Sequence, residues 1–312
     1  ILAPADAAVL AERRFASQLN TCPAVGADGA ASFDGEGSCA WARLGGVFDR
    51  RGGSPATSDY DDDRFTITAG AQAMVNPFWG VGFAVGYEHS SFSATGMSGD
   101  GDVVEGGAVV TRLFGDTTLA ASLSAGRQWH QTRRTVITPT DRYLAHGDPA
   151  TTWLSGHLRA SHAFAMGETF TVEPFVDVGL VQAWQDGYRE TNAGLYGLTV
   201  AERDMLYATL NPALTASATF DVLGARAKAT ARAGVFAVLG DTDRSARVSL
   251  NGVGAGGPSF TLEDDGNTLF ADLGVALEAA VSETVTFEAN FDTLLSDDQQ
   301  EFSGGLRLNV LF

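Results

Sequence analysis

Apolar and polar residues alternate one by one along most of the chain from Ala40 onward, which is the pattern of a β-strand with two different faces. In residues 65–73 the odd positions are apolar and the even positions are small or polar. The same pattern recurs in segments 81–88, 119–125, 154–160, 206–220, 225–239, 269–279 and 285–291. Each predicted strand therefore has one apolar face and one small or polar face.

The connections between these segments alternate between short and long. Short turns are predicted at residues 76–77, 115–116, 166–168, 221–224 and 282–283. Longer polar loops are predicted at residues 52–63, 93–101, 135–150, 186–196, 241–267 and 296–299. This regular alternation is typical of an up-and-down meander with periplasmic turns and extracellular loops.

We therefore predict an all-β fold: an antiparallel transmembrane β-barrel of about twelve strands, an even number as in bacterial barrels. Pro174 and Pro212 fall inside predicted strands. Because proline has no N–H to donate to a strand ladder, we expect bulges or local breaks at both.

The segment 306–312 is the clearest of the predicted strands. One face carries Leu306, Leu308, Val310 and Phe312. Arg307 and Asn309 alternate with them on the other face. The closing strand of an outer-membrane barrel faces lipid on one side, and its terminal aromatic lies at the membrane interface. In such barrels this ending resembles the signal that the barrel-assembly machinery reads, so we predict these four apolar residues as an assembly signal and that machinery as a partner.

Charged residues occupy the polar face of the predicted strands. We predict as pore-lining Arg43, Arg226, Lys228, Arg232, Asp272, Glu288 and Arg307. The interior of a transmembrane barrel is polar, so these side chains would give an extended chain a polar path. Their alternative role is structural, with opposite charges holding a lumen helix and each other. In a soluble β-sandwich, the competing fold, they would be scattered surface charge, but the alternating loop lengths favour the barrel.

Residues 7–19 differ from the rest of the chain, because they are rich in Ala and contain no Gly. Asp6 is a candidate N-cap. About sixteen helical residues would span roughly 24 Å, close to the height of the apolar band of an outer-membrane barrel. We predict a helix that lies inside the lumen, with the pore-helix residues Leu10, Arg14, Phe15 and Leu19.

The predicted organisation is a pore helix and linker in residues 1–38, followed by the barrel in residues 39–312. With an even strand count both ends of the barrel face the periplasm. The helix then points its N-terminus to the cell exterior, and anything attached before Ile1 would be displayed there.

Two cysteines, Cys22 and Cys39, flank a segment rich in Gly, Ala and Asp. No His lies next to them, so a zinc site is not indicated. In an exported protein the pattern predicts one disulfide, which would contribute roughly 3 kcal/mol by the chain-entropy estimate.

The formal net charge of −18 argues against a nucleic-acid partner, whose phosphates attract Lys and Arg. No run approaches the roughly 18 apolar residues of a spanning helix. Acidic clusters at residues 59–63, 263–265 and 297–298 are predicted to be solvated loops, with divalent-cation binding as the alternative. No cofactor is expected. The start has no signal-peptide pattern, so we expect a removed leader or a longer parent chain.

Several short segments resemble a known family. They are Thr21-Cys22-Pro23, residues 35–43, 80–87 and 156–163, Glu173-Pro174-Phe175, and residues 304–312. In order and spacing they resemble the autotransporter β-domain of type V secretion systems, over essentially the whole chain. The resemblance implies a twelve-stranded barrel in the bacterial outer membrane, with a helix through its pore, that helps to export an N-terminal passenger. As partners we expect that passenger domain and outer-membrane lipid or lipopolysaccharide, and we expect a monomer.

One position departs from part of that family. Some members cut themselves in the pore at an Asn-Asn junction, whereas Asn20 is followed here by Thr21. We therefore do not expect self-cleavage there, and we predict Asn20 as the C-cap of the helix.

Two other functions remain open at this point: a passive porin and a barrel hydrolase. The candidate histidines are His89, His130, His146, His157 and His162. No G-x-S-x-G motif accompanies them, so we predict that the barrel is not an enzyme.

Overall fold

The fold is given by a computed structural model that describes residues 3–19, 22–25, 31–53, 59–222, 224–241, 243–253, 259–265 and 268–312. One α-helix, α1, spans Ala3–Gln18. Its sixteen residues match the predicted length, but it begins before Asp6, so the predicted N-cap is wrong. Pro4 lies in its first turn, where a missing N–H costs no helical hydrogen bond. No helix in the described residues has the length and apolar character needed to span a bilayer.

Twelve long strands of the described chain form an antiparallel barrel. They are β1 (Cys39–Arg51), β2 (Tyr60–Asn76), β3 (Trp79–Ala94), β4 (Met97–Phe114), β5 (Thr117–Ile137), β6 (Ala150–His162), β7 (Phe170–Gln185), β8 (Arg203–Val222), β9 (Ala225–Gly240), β10 (Leu269–Ala280), β11 (Val285–Leu295) and β12 (Gln299–Leu311). Each pairs with the next along the chain, and β12 pairs with β1 from Leu311 opposite Cys39 to Gln299 opposite Arg51. This last pairing closes the barrel, which confirms the predicted fold.

Several shorter strands and turns lie outside the twelve barrel strands. A ribbon of Pro23–Val25 and Ala31–Glu36 lies within the cysteine loop, Arg142–Gly147 pairs with β5, and Phe164–Ala165 pairs with β7. A separate four-stranded sheet consists of Tyr188–Arg189, Leu198–Val200, Asp243–Leu250 and Ser259–Asp265, with short 3₁₀ turns at Gly194–Tyr196 and Asn251–Val253. We call these four strands the outer sheet. Val200, Ala246 and Val248 form part of its small core.

The two faces of each barrel strand have opposite character. Large apolar side chains are exposed on the outside, among them Leu44, Phe65, Val81, Phe83, Val85, Leu119, Leu123, Leu158, Val178, Leu214, Val275, Leu277, Leu306 and Leu308. The inward positions carry polar, charged and glycine residues, as the buried Thr68, Glu88, Ser124, His157 and Arg307 show. A lipid-facing exterior around a polar interior is the arrangement of an outer-membrane barrel.

The loops differ from the prediction because the strands run further than expected. Residues 93–101 are almost entirely strand, since β3 ends at Ala94, β4 begins at Met97 and Gly96 turns with a φ of 73°. The predicted loop 135–150 contains Arg142–Gly147, and the loops 186–196 and 241–267 supply three of the four strands of the outer sheet. These segments satisfy their backbone hydrogen bonds with each other, which polar loops at a barrel rim can do when they are long enough.

Both prolines interrupt a ladder, as predicted. The β6–β7 ladder ends with Phe175 opposite Ser161, and the pairing with Phe164–Ala165 begins at Val172, so Pro174 lies in the break between the two. The β8–β9 pairing skips from Leu210 to Ala213, and the side chain of Asn211 donates to the carbonyl of Val235 at 2.9 Å. The strands continue through both positions.

The predicted disulfide is present between Cys22 and Cys39. It joins the segment after the helix to the first residue of β1. Asn20, the predicted C-cap, lies outside the described residues.

Candidate functional site

Helix α1 occupies the lumen. Near the loop ends of the strands, Val9 and Leu10 share a buried cluster with Trp153, Met205 and Phe270. Near the turn ends, Phe15 and Leu19 share another with Cys22, Cys39, Trp41 and Leu311. Both clusters enclose the helix with side chains from many strands, so the helix is a core element of the barrel.

Three consecutive charged residues in the middle of the helix reach three different sectors of the wall. Successive residues of an α-helix are about 100° apart around its axis, because 3.6 residues make one turn. Glu12 contacts β5 and β6, Arg13 contacts β10, and Arg14 contacts β3 and β12. The helix is thus fixed from several sides at one height in the lumen.

Arg14 lies in a buried network of charges. Its Nη1 is 2.6 Å from Glu301 Oε2, and its Nη2 is 3.3 Å from Glu88 Oε2. Glu88 also accepts from Arg64 at 3.2 Å, and Arg64 binds Asp62 at 2.6 Å. Buried charges are tolerated when each has an opposite partner. Here two guanidinium groups and three carboxylates neutralise much of each other's charge.

Arg13 makes the second contact. Its Nη2 lies 2.7 Å from Asp272 Oδ2, and its guanidinium carbon lies 4.7 Å from the centre of the Phe236 ring. Arg232 reaches the other oxygen of Asp272 at 3.0 Å and also Asp292 at 2.8 Å. Asp272 therefore joins a helix cation to a wall cation.

Glu12 makes the third contact, with reversed charge. Its carboxylate lies against Ser124, Ser155 and the ring nitrogen Nε2 of His157. His157 also contacts Asp177 through Nδ1 at 2.8 Å. A helix anion therefore meets a wall sector built from hydrogen-bond donors.

The pore-lining residues predicted from the sequence fall into two groups. Asp272 and Arg232 belong to the Arg13 contact, and Arg43 lines a cavity of about 80 Å³ beside the helix. The guanidinium of Arg307 lies 4.4 Å from the ring centre of Trp41. The other three lie at other positions of the wall: Glu288 and Lys228 are half-buried, and Arg226 is exposed near a turn. Arg226 is opposite Asp221 in the β8–β9 ladder.

The four predicted pore-helix residues, Leu10, Arg14, Phe15 and Leu19, are all buried in the lumen. Sequence reasoning missed Glu12 and Arg13, although three adjacent charges in an Ala-rich helix were a usable signal. It also missed most of the wall partners. Glu88, His157 and Glu301 lie at inward positions of their strands, but which of them meets the helix depends on the strand register.

The predicted assembly residues lie at the end of β12. Leu306, Leu308 and Val310 are exposed on the outer face, and Phe312 is 69% exposed just after the strand. Phe312 N donates to the carbonyl of Ser38 at 3.2 Å. This contact ties the residue to the start of β1, at the seam where the barrel closes.

Comparison with known proteins gives one family and several similar folds. The model of the autotransporter β-domain family matches residues 40–292. The translocator domain of the autotransporter NalP from Neisseria meningitidis has a TM-score of 0.77 at 16% identity, over 99% of this chain and 97% of that one. No curated protein matches this chain.

Two further autotransporter structures are similar in fold. The β-domain of the Bordetella autotransporter BrkA has a TM-score of 0.66 at 18% identity, over 89% of this chain and 100% of that one. The transport unit of AIDA-I from Escherichia coli has a TM-score of 0.56 at 12% identity, over 88% and 90%.

Proposed function

We propose that the helix of this chain is the final part of an exported polypeptide and remains in the pore as a plug. The premise of this proposal is that the chain belongs to the autotransporter β-domain family. The chain is a bacterial outer-membrane translocator domain. The observation that carries the proposal is the helix itself, which is joined through Cys22 to the barrel and fills the lumen with charged side chains paired to the wall.

The direction of export follows from the position of the helix. Val9 packs with residues near the loop ends of the strands, whereas Leu19 packs with Cys39 and Leu311 at the turn ends. If the turns face the periplasm, as in bacterial barrels, the helix N-terminus points to the cell exterior. A passenger attached before Ile1 would then stand outside the cell. The cysteine loop would face the oxidising periplasm, which suits its disulfide.

The lumen supplies a path but no energy source. Its wall offers carboxylates, guanidinium groups and hydroxyls that an extended chain could pass in hydrated form, as in other polar barrel interiors. Folding of the passenger outside and the barrel-assembly machinery would provide the direction. In this proposal residues 1–38 are the plug and linker, residues 39–312 are the barrel, and the barrel performs no enzymatic reaction. It works as a monomer in outer-membrane lipid.

The plug is tested by electrical conductance. The 312-residue chain and a variant that lacks residues 1–20 are inserted into planar bilayers, with Cys22 and Cys39 retained in both. We expect a sharp rise in single-channel conductance for the truncated barrel, because the helix no longer fills the lumen. Equal conductance of the two barrels would contradict the plug and favour a passive porin.

Export is tested in intact cells with a reporter domain fused before Ile1. We expect external protease to digest the reporter, because it stands on the cell surface. A matched fusion that ends before Cys39 lacks the barrel and should stay protected in the periplasm. A reporter on the full chain that stays protected while the barrel is inserted would refute the proposed direction.

A further inference from the structure

The carboxylate of Glu12 is surrounded by hydrogen-bond donors from the barrel wall. Oε1 accepts from Ser155 Oγ at 2.5 Å and lies 3.3 Å from Ser124 Oγ and 3.0 Å from His157 Nε2. Oε2 lies 3.2 Å from the same nitrogen. The residue is 0% exposed. Burial of a carboxylate without partners is very costly, so these contacts hold it in place.

The donors are arranged by the wall without help from the helix. Ser124 and Ser155 are direct partners in the β5–β6 ladder, and their hydroxyl oxygens lie 2.7 Å apart. His157 is held from behind by Asp177, at 2.8 Å. Neither contact involves α1, so both can form in the barrel alone. A receptor whose groups are already oriented loses less entropy when it binds.

A glycine on the neighbouring strand leaves space for the imidazole ring. Gly179 is the direct partner of His157 in the β6–β7 ladder. A Cβ at this position would collide with the His157 ring and with Thr209 Oγ1. The ring therefore lies against bare backbone, which limits the orientations it can take.

The chemistry of this wall sector fits a carboxylate. Both ring nitrogens of His157 lie at hydrogen-bond distance from carboxylate oxygens, and a histidine that donates from both nitrogens is an imidazolium cation. Charge-assisted hydrogen bonds of this kind are roughly twice as strong as neutral ones. A cation and the Ser155 hydroxyl therefore converge on one small anion, and the Ser124 hydroxyl lies directly beside that of Ser155.

We infer that Ser124, Ser155 and His157, backed by Asp177, form a carboxylate-binding socket in the wall of the lumen. The socket holds the helix through Glu12, and it accepts a free carboxylate when that side chain is removed. It also sets the register of the helix, because the residues one turn away are Ala8 and Ala16, which have no carboxylate. The other two contacts cannot replace it, since there the helix presents cations.

The socket is tested by chemical rescue of the purified full chain in detergent. We expect Glu12→Ala to lower the melting temperature by about 4 °C or more, because the socket loses its anion while His157 stays buried. Acetate should restore the melting temperature of this variant, since a ligand that binds the folded state stabilises it. Chloride at the same ionic strength should not.

Two further variants separate the socket from general effects of the salt. Glu12→Ala combined with His157→Ala lacks the cation, so acetate should act on it no more than chloride. Arg13→Ala weakens a different contact and leaves the socket filled, so acetate should not stabilise it either. The inference is overturned if acetate and chloride act alike on the Glu12→Ala variant, or if acetate stabilises all three variants equally.

If the Glu12→Ala variant does not assemble, Glu12→Gln decides the question. The amide keeps the size of the side chain but loses the charge, so we expect a lower melting temperature that acetate does not restore. A melting temperature equal to that of the unchanged chain would show that the socket does not use the negative charge. This readout needs no export, so its result is independent of the proposed secretion function.

Discussion

Arg14 and Glu301 lie 287 positions apart in the chain, yet Nη1 of the arginine is 2.6 Å from Oε2 of the glutamate. The pair joins the helix to the closing strand β12, which itself pairs with β1. The ion pair therefore ties the helix directly to the strand that closes the barrel. The contact also shows that the helix is part of the folded barrel and not an element that only passes through it.

We expect Arg14→Ala to lower the free energy of unfolding by about 3–5 kcal/mol, because Glu301 remains buried without its cation and Glu88 keeps only Arg64. The measurement is equilibrium unfolding of the barrel in detergent. Arg50→Ala is the matched control, since Arg50 and Asp61 form an exposed pair with side chains 70% and 65% accessible. Exposed pairs contribute about 1 kcal/mol or less. Equal effects of the two substitutions would contradict the buried role of Arg14.

Phe15 packs against Gly86 and Gly107 in the barrel wall. This packing can be tested by enlarging a glycine and then shortening the phenylalanine. A Cβ at Gly107 would come within 3.0 Å of the Phe15 ring and 2.8 Å of the carbonyl of Leu123. We expect Gly107→Ala to cost about 1–3 kcal/mol, because extra volume in a packed core forces side chains and backbone to shift. Adding Phe15→Leu should recover part of this loss in the same unfolding measurement. No recovery would mean that the strain lies in the barrel wall and not at the helix.

Much of the fold was predictable because the alternation of apolar and polar residues has a short range. Residues 65–73 reveal a two-faced strand without any knowledge of their partners, and Ala-rich residues 7–19 reveal the helix. The residues at which loops begin and end were harder to predict. Residues 93–101 are mostly small or polar, as solvated loops are, yet most of them continue β3 and β4.

The lumen contacts were harder to predict because they depend on strand register. Alternation places Glu88, Ser155 and Glu301 on the inner face, but it does not tell which of them lies at the height of Arg14 or Glu12. That height follows from the stagger of neighbouring strands and the depth of the helix. The sequence therefore indicated a charged lumen, while the pairing of individual charges required the three-dimensional structure.

The outer sheet gives a pH-dependent prediction through Tyr188, which lies beyond the barrel strands. Burial, and then the charge of Glu190, raise the pKa of the Tyr188 hydroxyl above its ordinary value of 10.0. Because the folded state holds this proton more tightly, the contribution to stability is fully present below pH 10.0 and is lost as the pH rises further. We expect protease sensitivity of the outer sheet to rise in that alkaline range. The Tyr188→Phe variant has no hydroxyl to deprotonate at this position. If its protease sensitivity rises in the same alkaline range, deprotonation of Tyr188 is not the cause.

The last prediction concerns Phe312, whose exposed ring follows β12 on the outer face and whose N–H bonds Ser38 across the barrel seam. We expect Phe312→Ala to reduce membrane insertion in cells, because an interfacial aromatic anchors the closing strand of an outer-membrane barrel. Insertion is measured as the fraction of protein that shows heat-modifiable migration. Val222→Ala is a matched control, because Val222 is also exposed at the end of a strand, and that strand, β8, pairs with neither β1 nor β12. Normal insertion of the Phe312→Ala variant, or an equal loss in both variants, would argue against a signal role for this residue.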